Sequence, residues 1–295
     1  MHAPGARTMA RRFVAGETID DGMAATRALN RAGLSVSLDY LGESVSREED
    51  ATAAADTYIR LIDRIVAEKL DANVSLKLTQ MGQDVDDGFL RANVGRVLDR
   101  ARAGDMFVRF DMEASTHTQR TIDFFRRVWD DGYRNTGIVL QSYMRRSADD
   151  VRMANALGAR VRLCKGAYQE PEEVAYQEKS EVDRNFVELM GKLLSEGNYP
   201  GVATHDEAMI RATRDYAAAH RIPPDAFEFQ MLYGVRRDLQ HQLRRGGYRM
   251  RVYVPFGEAW YPYLMRRLAE RPANLFFMVK AVLAESPLRF LVRRE

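Results

Sequence analysis

The sequence predicts an α/β fold, a single (βα)8 barrel, on three observations. Short strand-like runs alternate with helix-length segments about eight times along the chain. The 295 residues, 46% of them apolar, suffice for one large core. No G-x-G-x-x-G follows any of the runs, which disfavours the runner-up, an open doubly wound sheet. Alternation of this kind favours parallel strands, because each return crossing needs room for a helix, and the number of units at this length fits a closed TIM-type barrel.

In chain order, residues 1–32 read as an N-terminal arm and residues 33–295 as the barrel domain. The first strand is expected at 34–41 (LSVSLDYL), followed by a helix over 48–69. The run 73–79 (NVSLKLT) gives the second strand and 87–103 its helix; 106–113 (MFVRFDME) and 116–130 give the third pair. Strands at 137–143 (GIVLQSY) and 160–166 (RVRLCKG) are followed by helices at 147–157 and 181–196. The short run 201–205 (GVATH) precedes a helix at 206–219, and 226–232 (AFEFQML) precedes one at 235–245. The last strand, 250–256 (MRVYVPF), leads into a helix at 259–270, and a final apolar helix is expected at 273–284. Each strand run is short, apolar or alternating, and bounded by turn residues.

Composition narrows the function classes. Lys+Arg 44 against Asp+Glu 42 leaves a net charge of +2, so no basic field argues for nucleic acid. The one cysteine, Cys164, rules out an intrachain disulfide and a cysteine-cluster metal site, and makes the cytoplasm the default location. No stretch reaches the apolar length of a transmembrane helix, and residues 1–16 have no apolar core of a secretory signal. The histidines show no H-x-H or H-E-x-x-H spacing, so no metal is expected.

Strands covered by helices and closed on themselves should be almost wholly apolar, yet several carry polar residues two apart. Lys77 follows Ser75, Asp111 follows Arg109, Gln141 follows Val139, Arg162 follows Arg160 and Tyr253 follows Arg251, each at a spacing of two. Period-two geometry puts each set on one face, with Leu76, Phe110, Leu140, Leu163 and Val252 on the other, so the polar face is expected to point into the barrel. With His205 and Glu228 these groups fall in the C-terminal halves of their strands, where barrel enzymes carry catalytic residues. A satisfied internal network explains any one such residue about as well; across several strands at once an active site is the better account.

A second cluster follows the eighth strand. Tyr263, Arg266, Arg267 and Glu270 share neighbouring faces of one helix, where two guanidinium forks suit a small carboxylate. Taken alone, the same helix reads as a solvated Arg/Glu surface.

The L-K-L-T at 76–79, D-M-E at 111–113, Q-S-Y at 141–143, R-L-C-K-G-A-Y at 162–168, A-T-H at 203–205, E-F-Q at 228–230 and Y-P-Y-L-M-R-R-L-A-E at 261–270 together resemble the monofunctional bacterial proline dehydrogenases. The most specific part is the Y-x-x-R-R-x-x-E helix combined with R-L-x-K-G-A-Y. The resemblance covers about residues 10–285. It implies a distorted barrel with the last barrel helix over the active-site mouth and FAD held non-covalently at the strand C-termini. The implied reaction is oxidation of L-proline to 1-pyrroline-5-carboxylate, the first step of proline degradation to glutamate. Electrons would go to a quinone-type, membrane-borne acceptor, which implies peripheral contact with the inner face of the cell membrane.

By the same resemblance, Arg162 sits beside the flavin N5, Gln141 bonds the isoalloxazine edge, and Lys165, Gly166, Ala167, Thr204 and His205 line the cofactor. Met112, though of outward parity, touches it through its backbone. Lys77, Arg266 and Arg267 bind the proline carboxylate, Asp111 and Tyr253 complete the pocket, and Tyr263 and Glu270 flank the ring. Asp111 and Arg162 are the expected catalytic pair, and Glu43 is expected to close on Arg266 across the mouth. Two other readings stay open. One is a barrel flavoenzyme acting on another small amino acid, a cyclic amine or a reduced folate; the other is a non-catalytic membrane-surface binding protein, supported by the arginine-rich composition and the apolar 275–283 stretch.

Overall fold

The computed structural model describes residues 11–269. Eight parallel strands close in sequence order into a barrel: β1 Ser35–Tyr40, β2 Ala72–Leu76, β3 Val108–Phe110, β4 Thr136–Gln141, β5 Arg160–Cys164, β6 Gly201–Ala203, β7 Glu228–Leu232 and β8 Arg249–Phe256. The helices are α1 Ile19–Arg31, α2 Glu48–Ala67, α3 Asp87–Ala103, α4 Ser115–Asp130, α5 Ser147–Leu157, α6 Lys179–Glu196, α7 Glu207–Ala219, α8 Arg237–Arg245 and α9 Trp260–Ala269. The alternation read from the sequence is the observed one. The apolar stretch expected as a helix at 273–284 lies outside the described residues.

Period-two alternation builds the wall. Val36, Leu38, Val74, Leu76, Val108, Phe110, Ile138, Leu140, Leu163, Val252 and Val254 are buried in the layer between barrel and helices. The other parity carries Ser37, Asp39, Asn73, Ser75, Arg109, Arg162, Glu228 and Gln230, also buried, inside the barrel. Small residues make room for these large ones. At Gly201 an added Cβ would lie 2.4 Å from Gln230 Nε2, so glycine on β6 admits the glutamine from β7.

Several strands end earlier than their apolar runs suggest. β2 stops at Leu76 and the chain turns through Gln80 N→Lys77 O and Met81 N→Leu78 O, so Lys77 stands at the rim. β3, β5 and β6 likewise end just before Asp111, Lys165 and Thr204. Single ladder bonds run on past these ends, as in Asp111 N→Leu76 O (2.9 Å) and Thr204 N→Gln230 O (3.1 Å), before the chain turns and hands side chains to the mouth.

Within the segment expected as an arm, α1 forms a helix that packs on the seam between the first and last strands. Thr18 and Asp21 cap it reciprocally: Asp21 N donates to Thr18 Oγ1 at 3.2 Å and Thr18 N to Asp21 Oδ2 at 3.0 Å. Gly22 lets it approach closely; a Cβ there would lie 3.1 Å from the Phe256 ring and 3.3 Å from Leu38 Cδ2. No helix among the described residues is long and apolar enough to cross a membrane.

Candidate active site

Arg162 is the centre of the polar interior. It rises from β5, buried, and its guanidinium reaches side chains of four other strands or their ends: Nε donates to Gln230 Oε1 (2.5 Å), Nη1 to Asp111 Oδ1 (2.7 Å) and Ser75 Oγ (3.2 Å), and Nη2 to Ser37 Oγ (3.2 Å). Its Cζ lies 5.1 Å from the centre of the Tyr253 ring on β8. A planar cation fastened on so many sides has one orientation.

Asp111 receives more than Arg162. Ser75 Oγ donates to Oδ1 at 2.6 Å and Tyr253 Oη to Oδ2 at 2.7 Å. Burial pushes its carboxyl up, but the Arg162 and Lys77 charges and these two hydrogen bonds outweigh burial and hold it below the usual carboxylate range. Asp111 therefore stays ionised, and the Tyr253 phenol beside it is pushed far up by burial and by Asp111 and Asp39.

Lys77 stands next to this pair with its ammonium held by Asp39 at 3.0 and 3.1 Å. Burial disfavours its charge, while Asp39, Asp111 and Glu113 favour it more, so the lysine remains protonated. Glu113 accepts from Thr79 Oγ1 at 2.6 Å and from Thr79 N at 3.3 Å, and burial raises its carboxyl above the usual value. Below this layer, near the strand N-termini, Glu228 is bound by Arg251 Nε (2.8 Å), Gln230 Nε2 (2.6 Å) and Tyr199 Oη (3.1 Å). Arg109 donates to the carbonyl oxygens of Ile138 and Arg160 at 3.3 and 3.0 Å. This floor is a polar network closed around Glu228, as the plainer reading of buried charge expects, while Arg109 Nε has no hydrogen-bond partner among the described residues. The mouth differs in position, because Lys77 and Asp111 lie just past the C-terminal ends of β2 and β3.

The residues expected around a cofactor fall at or just past the C-terminal ends of β3 to β6. Gln141 is 3% exposed and its Oε1 has no hydrogen-bond partner among the described residues, an acceptor that a ring N–H would satisfy. Gly166 adopts φ +114, and a Cβ on it would lie 2.3 Å from Tyr143 Cδ1, so its bare backbone faces the Tyr143 ring at the end of β5. The ladder continues into this loop through Ser142 N→Cys164 O (2.7 Å) and Tyr143 N→Lys165 O (2.9 Å). His205 Nε2 accepts from Leu232 N at 2.9 Å, which places the ring proton on Nδ1. Thr204 Oγ1 accepts from Asp206 N at 3.1 Å, and Met112 is buried. Ala167 is half-buried beside Gly166. The orphaned, buried acceptor of Gln141 at the end of β4 fits a flat, polar-edged cofactor such as a flavin.

Lys165 is placed differently from a free cation. Its ammonium bonds Asp183 of α6 and, at 2.7 Å, Asp206 Oδ2 at the start of α7, so it clasps two helices to the end of β5.

On α9, Tyr263 is 5% exposed and packs with Phe13, Val14, Leu41 and Trp260. Arg266 and Arg267 fall on the same helix with side chains beyond the described set, and Glu270 lies outside the described residues. Glu43 is half-buried just after β1.

Reasoning from sequence missed Ser37, Asp39, Glu113 and Gln230. Each lies two residues from another inward polar group: Asp39 from Ser37, Glu113 from Asp111, Gln230 from Glu228. The same period-two rule, applied to β1 and β7 and run one step past β3, finds all of them.

The chain is similar to known proteins along most of its length. A family model described as "Proline dehydrogenase" matches residues 23–280. The chain is 42% identical over 281 residues to "Proline dehydrogenase 1" of Bacillus subtilis subsp. natto, covering 95% of this chain and 93% of the relative. It is 43% identical over 279 residues to "Proline dehydrogenase" of Deinococcus radiodurans, covering 93% and 90%. Among solved structures, proline utilization A from Bdellovibrio bacteriovorus, inactivated by N-propargylglycine, superposes with a TM-score of 0.85 at 27% identity, over 97% of this chain and 35% of that one.

Proposed function

The chain belongs to the proline dehydrogenase family, and from that premise we propose that it oxidises L-proline to 1-pyrroline-5-carboxylate with FAD as its cofactor. It thereby performs the first step of proline degradation to glutamate and passes the electrons to a quinone-type acceptor. Such an acceptor is membrane-borne, which gives a cytoplasmic protein a reason for peripheral contact with the inner membrane face. The observation that carries the reading is the charge arrangement at the barrel mouth: two buried cations, Arg162 and Lys77, with the ionised Asp111 between their strands.

Arg162, Gln141, Lys165, Gly166, Ala167, Thr204, His205 and the Met112 backbone would hold the flavin. When bound, FAD supplies a two-electron acceptor for the hydride that leaves the proline carbon next to nitrogen. The protein's own part is binding and orientation. Lys77, Arg266 and Arg267 take the substrate carboxylate, because cations form charge-assisted bonds with it. Asp111 does not repel that carboxylate, because Arg162 and Lys77 already offset its charge. Tyr253 and Asp111, joined at 2.7 Å, form one wall of the pocket. Tyr263 and Glu270 flank the ring, and Tyr263 is held in place by packing with Phe13, Leu41 and Trp260. Arg162 supplies positive charge fixed before the reaction, where negative charge develops during it.

An anaerobic absorbance titration with L-proline tests cofactor, substrate and chemistry together. The expected result is loss of the flavin band on addition of L-proline. Protein that stays colourless after incubation with FAD, or a flavin band that proline leaves untouched, overturns the proposal.

A further inference from the structure

Asp39 is a buried carboxylate to which the reading above gives no task. It lies on β1, wholly buried, with its side chain inside the barrel, and its two oxygens accept from the Lys77 ammonium at 3.0 and 3.1 Å. The Tyr58 hydroxyl of α2 stands 3.5 Å from Oδ1 while bonding the Ser75 carbonyl oxygen at 2.8 Å, so the phenol braces β1 and β2 just behind the pair. We propose that Asp39 is a positioning residue for Lys77, holding the ammonium charged and in one place so that its remaining hydrogen meets the substrate carboxylate. The inference rests on the reading of Lys77 as a carboxylate ligand.

Two physical arguments support it. A lysine ammonium is a point charge on a four-carbon flexible stem, and an unheld one gives little geometric selection. Two contacts to a carboxylate on a central strand remove that freedom. Burial, moreover, favours the neutral amine, and the Lys77 side chain is 10% exposed. The charged and titratable groups around it are Asp39 on β1, Asp111 and Glu113 at and beyond the end of β3, with Arg162 of β5 and Tyr253 of β8 attached to Asp111. Asp111 is already engaged by Arg162, Ser75 and Tyr253, and Glu113 by Thr79. Asp39 is the carboxylate that bonds the ammonium directly.

The test separates the carboxylate contact from the chemistry. Cyclopentanecarboxylate has the ring and carboxylate of the substrate but no amine, and its charge is constant from about pH 6.5 to about pH 9, a range in which a carboxylate does not titrate. Its inhibition constant against proline oxidation is measured over that range for the flavin-loaded parent, Asp39→Asn, Lys77→Met and the double variant. The parent is expected to be flat. Lys77→Met is expected to bind the inhibitor weakly at every pH. Asp39→Asn is expected to lose affinity by about tenfold or more as pH rises, because the lysine loses its proton once its partner carboxylate is gone. A flat profile within about twofold of the parent, with Lys77→Met weakened, overturns the role of Asp39. Parental affinity in Lys77→Met instead removes the carboxylate role of Lys77, and the proposal with it.

Removing one member of a buried pair can prevent folding, whereas removing both leaves no uncompensated charge. The double variant therefore keeps the question answerable: if Asp39 acts through Lys77, it binds the inhibitor as Lys77→Met does. A further loss in the double variant overturns the inference.

Discussion

Arg162 owes its position to neighbours on other strands. Ser37, Ser75, Asp111 and Gln230 each hold one edge of its guanidinium, and Tyr253 covers a face. A lysine could keep the charge at this site but not the fork, so the fixed direction of the positive charge would be lost. Arg162→Ala is expected to fold and retain flavin, because Lys77 still offsets Asp111. The rate of anaerobic flavin reduction by proline is expected to fall about 10²–10³-fold, the effect of removing one preorganised donor from a developing charge. Stopped-flow absorbance measures it, and an unchanged rate takes Arg162 out of the mechanism. The residue was legible in the sequence because a charged side chain inside an otherwise apolar strand is costly and needs a reason. Its partners were legible only in part. Asp111 falls in such an apolar run, whereas Ser37 and Gln230 are uncharged, and an uncharged polar residue in a strand is an ordinary thing to find.

The elements themselves were clear where apolar periodicity was strong, as in β4, all of whose residues are buried, and α4, whose buried side includes Ile122, Phe124, Phe125 and Val128. α1 is not legible as a helix because its buried face is Gly22, Met23 and Thr26, too small and polar to give an apolar stripe. Strand ends were overrun for a related reason. Leu78, at the turn after β2, is as buried as the strand residues before it, so hydrophobicity does not mark where the ladder stops. A tightly constrained connection at the mouth is the one after β5, where Gly166 has φ +114 with the Tyr143 ring under it. Gly166→Ala forces a side chain into a conformation that L residues rarely adopt and into the ring at once. We expect the purified variant to keep its far-ultraviolet circular dichroism and to carry substantially less flavin, read as the ratio of absorbance in the flavin band to that of the protein. Full flavin occupancy would show that this loop does not touch the cofactor.

At the scale of the whole molecule, the barrel interior is tied together by charge instead of filled by branched apolar side chains, and this makes its stability depend on pH. At the floor, Glu228 joins Arg251 of β8, Gln230 of β7 and Tyr199 before β6, and Arg251 Nη1 continues to the Val36 carbonyl oxygen of β1 at 2.7 Å. Burial raises the Glu228 carboxyl, but Arg251, Arg109 and Gln230 bring it below its ordinary value. A carboxyl depressed in the folded state contributes stability above its unfolded value, near about 4.3, and loses that contribution as pH falls through the folded one. Asp111, also depressed, acts in the same direction. Glu228→Gln leaves Arg251 buried without its counter-charge, which costs about 3–5 kcal/mol and lowers the melting temperature by roughly 5–15 °C at neutral pH. Because the parent loses the same interaction on acidification, the gap between parent and variant is expected to narrow as pH falls from about 6 to about 3. Arg251→Met added to Glu228→Gln removes the stranded cation and is expected to restore part of the loss. Calorimetric melting of the three proteins across that range decides the matter. A gap that stays constant with pH means that Glu228 contributes through shape and hydrogen bonding, with no net contribution from its charge.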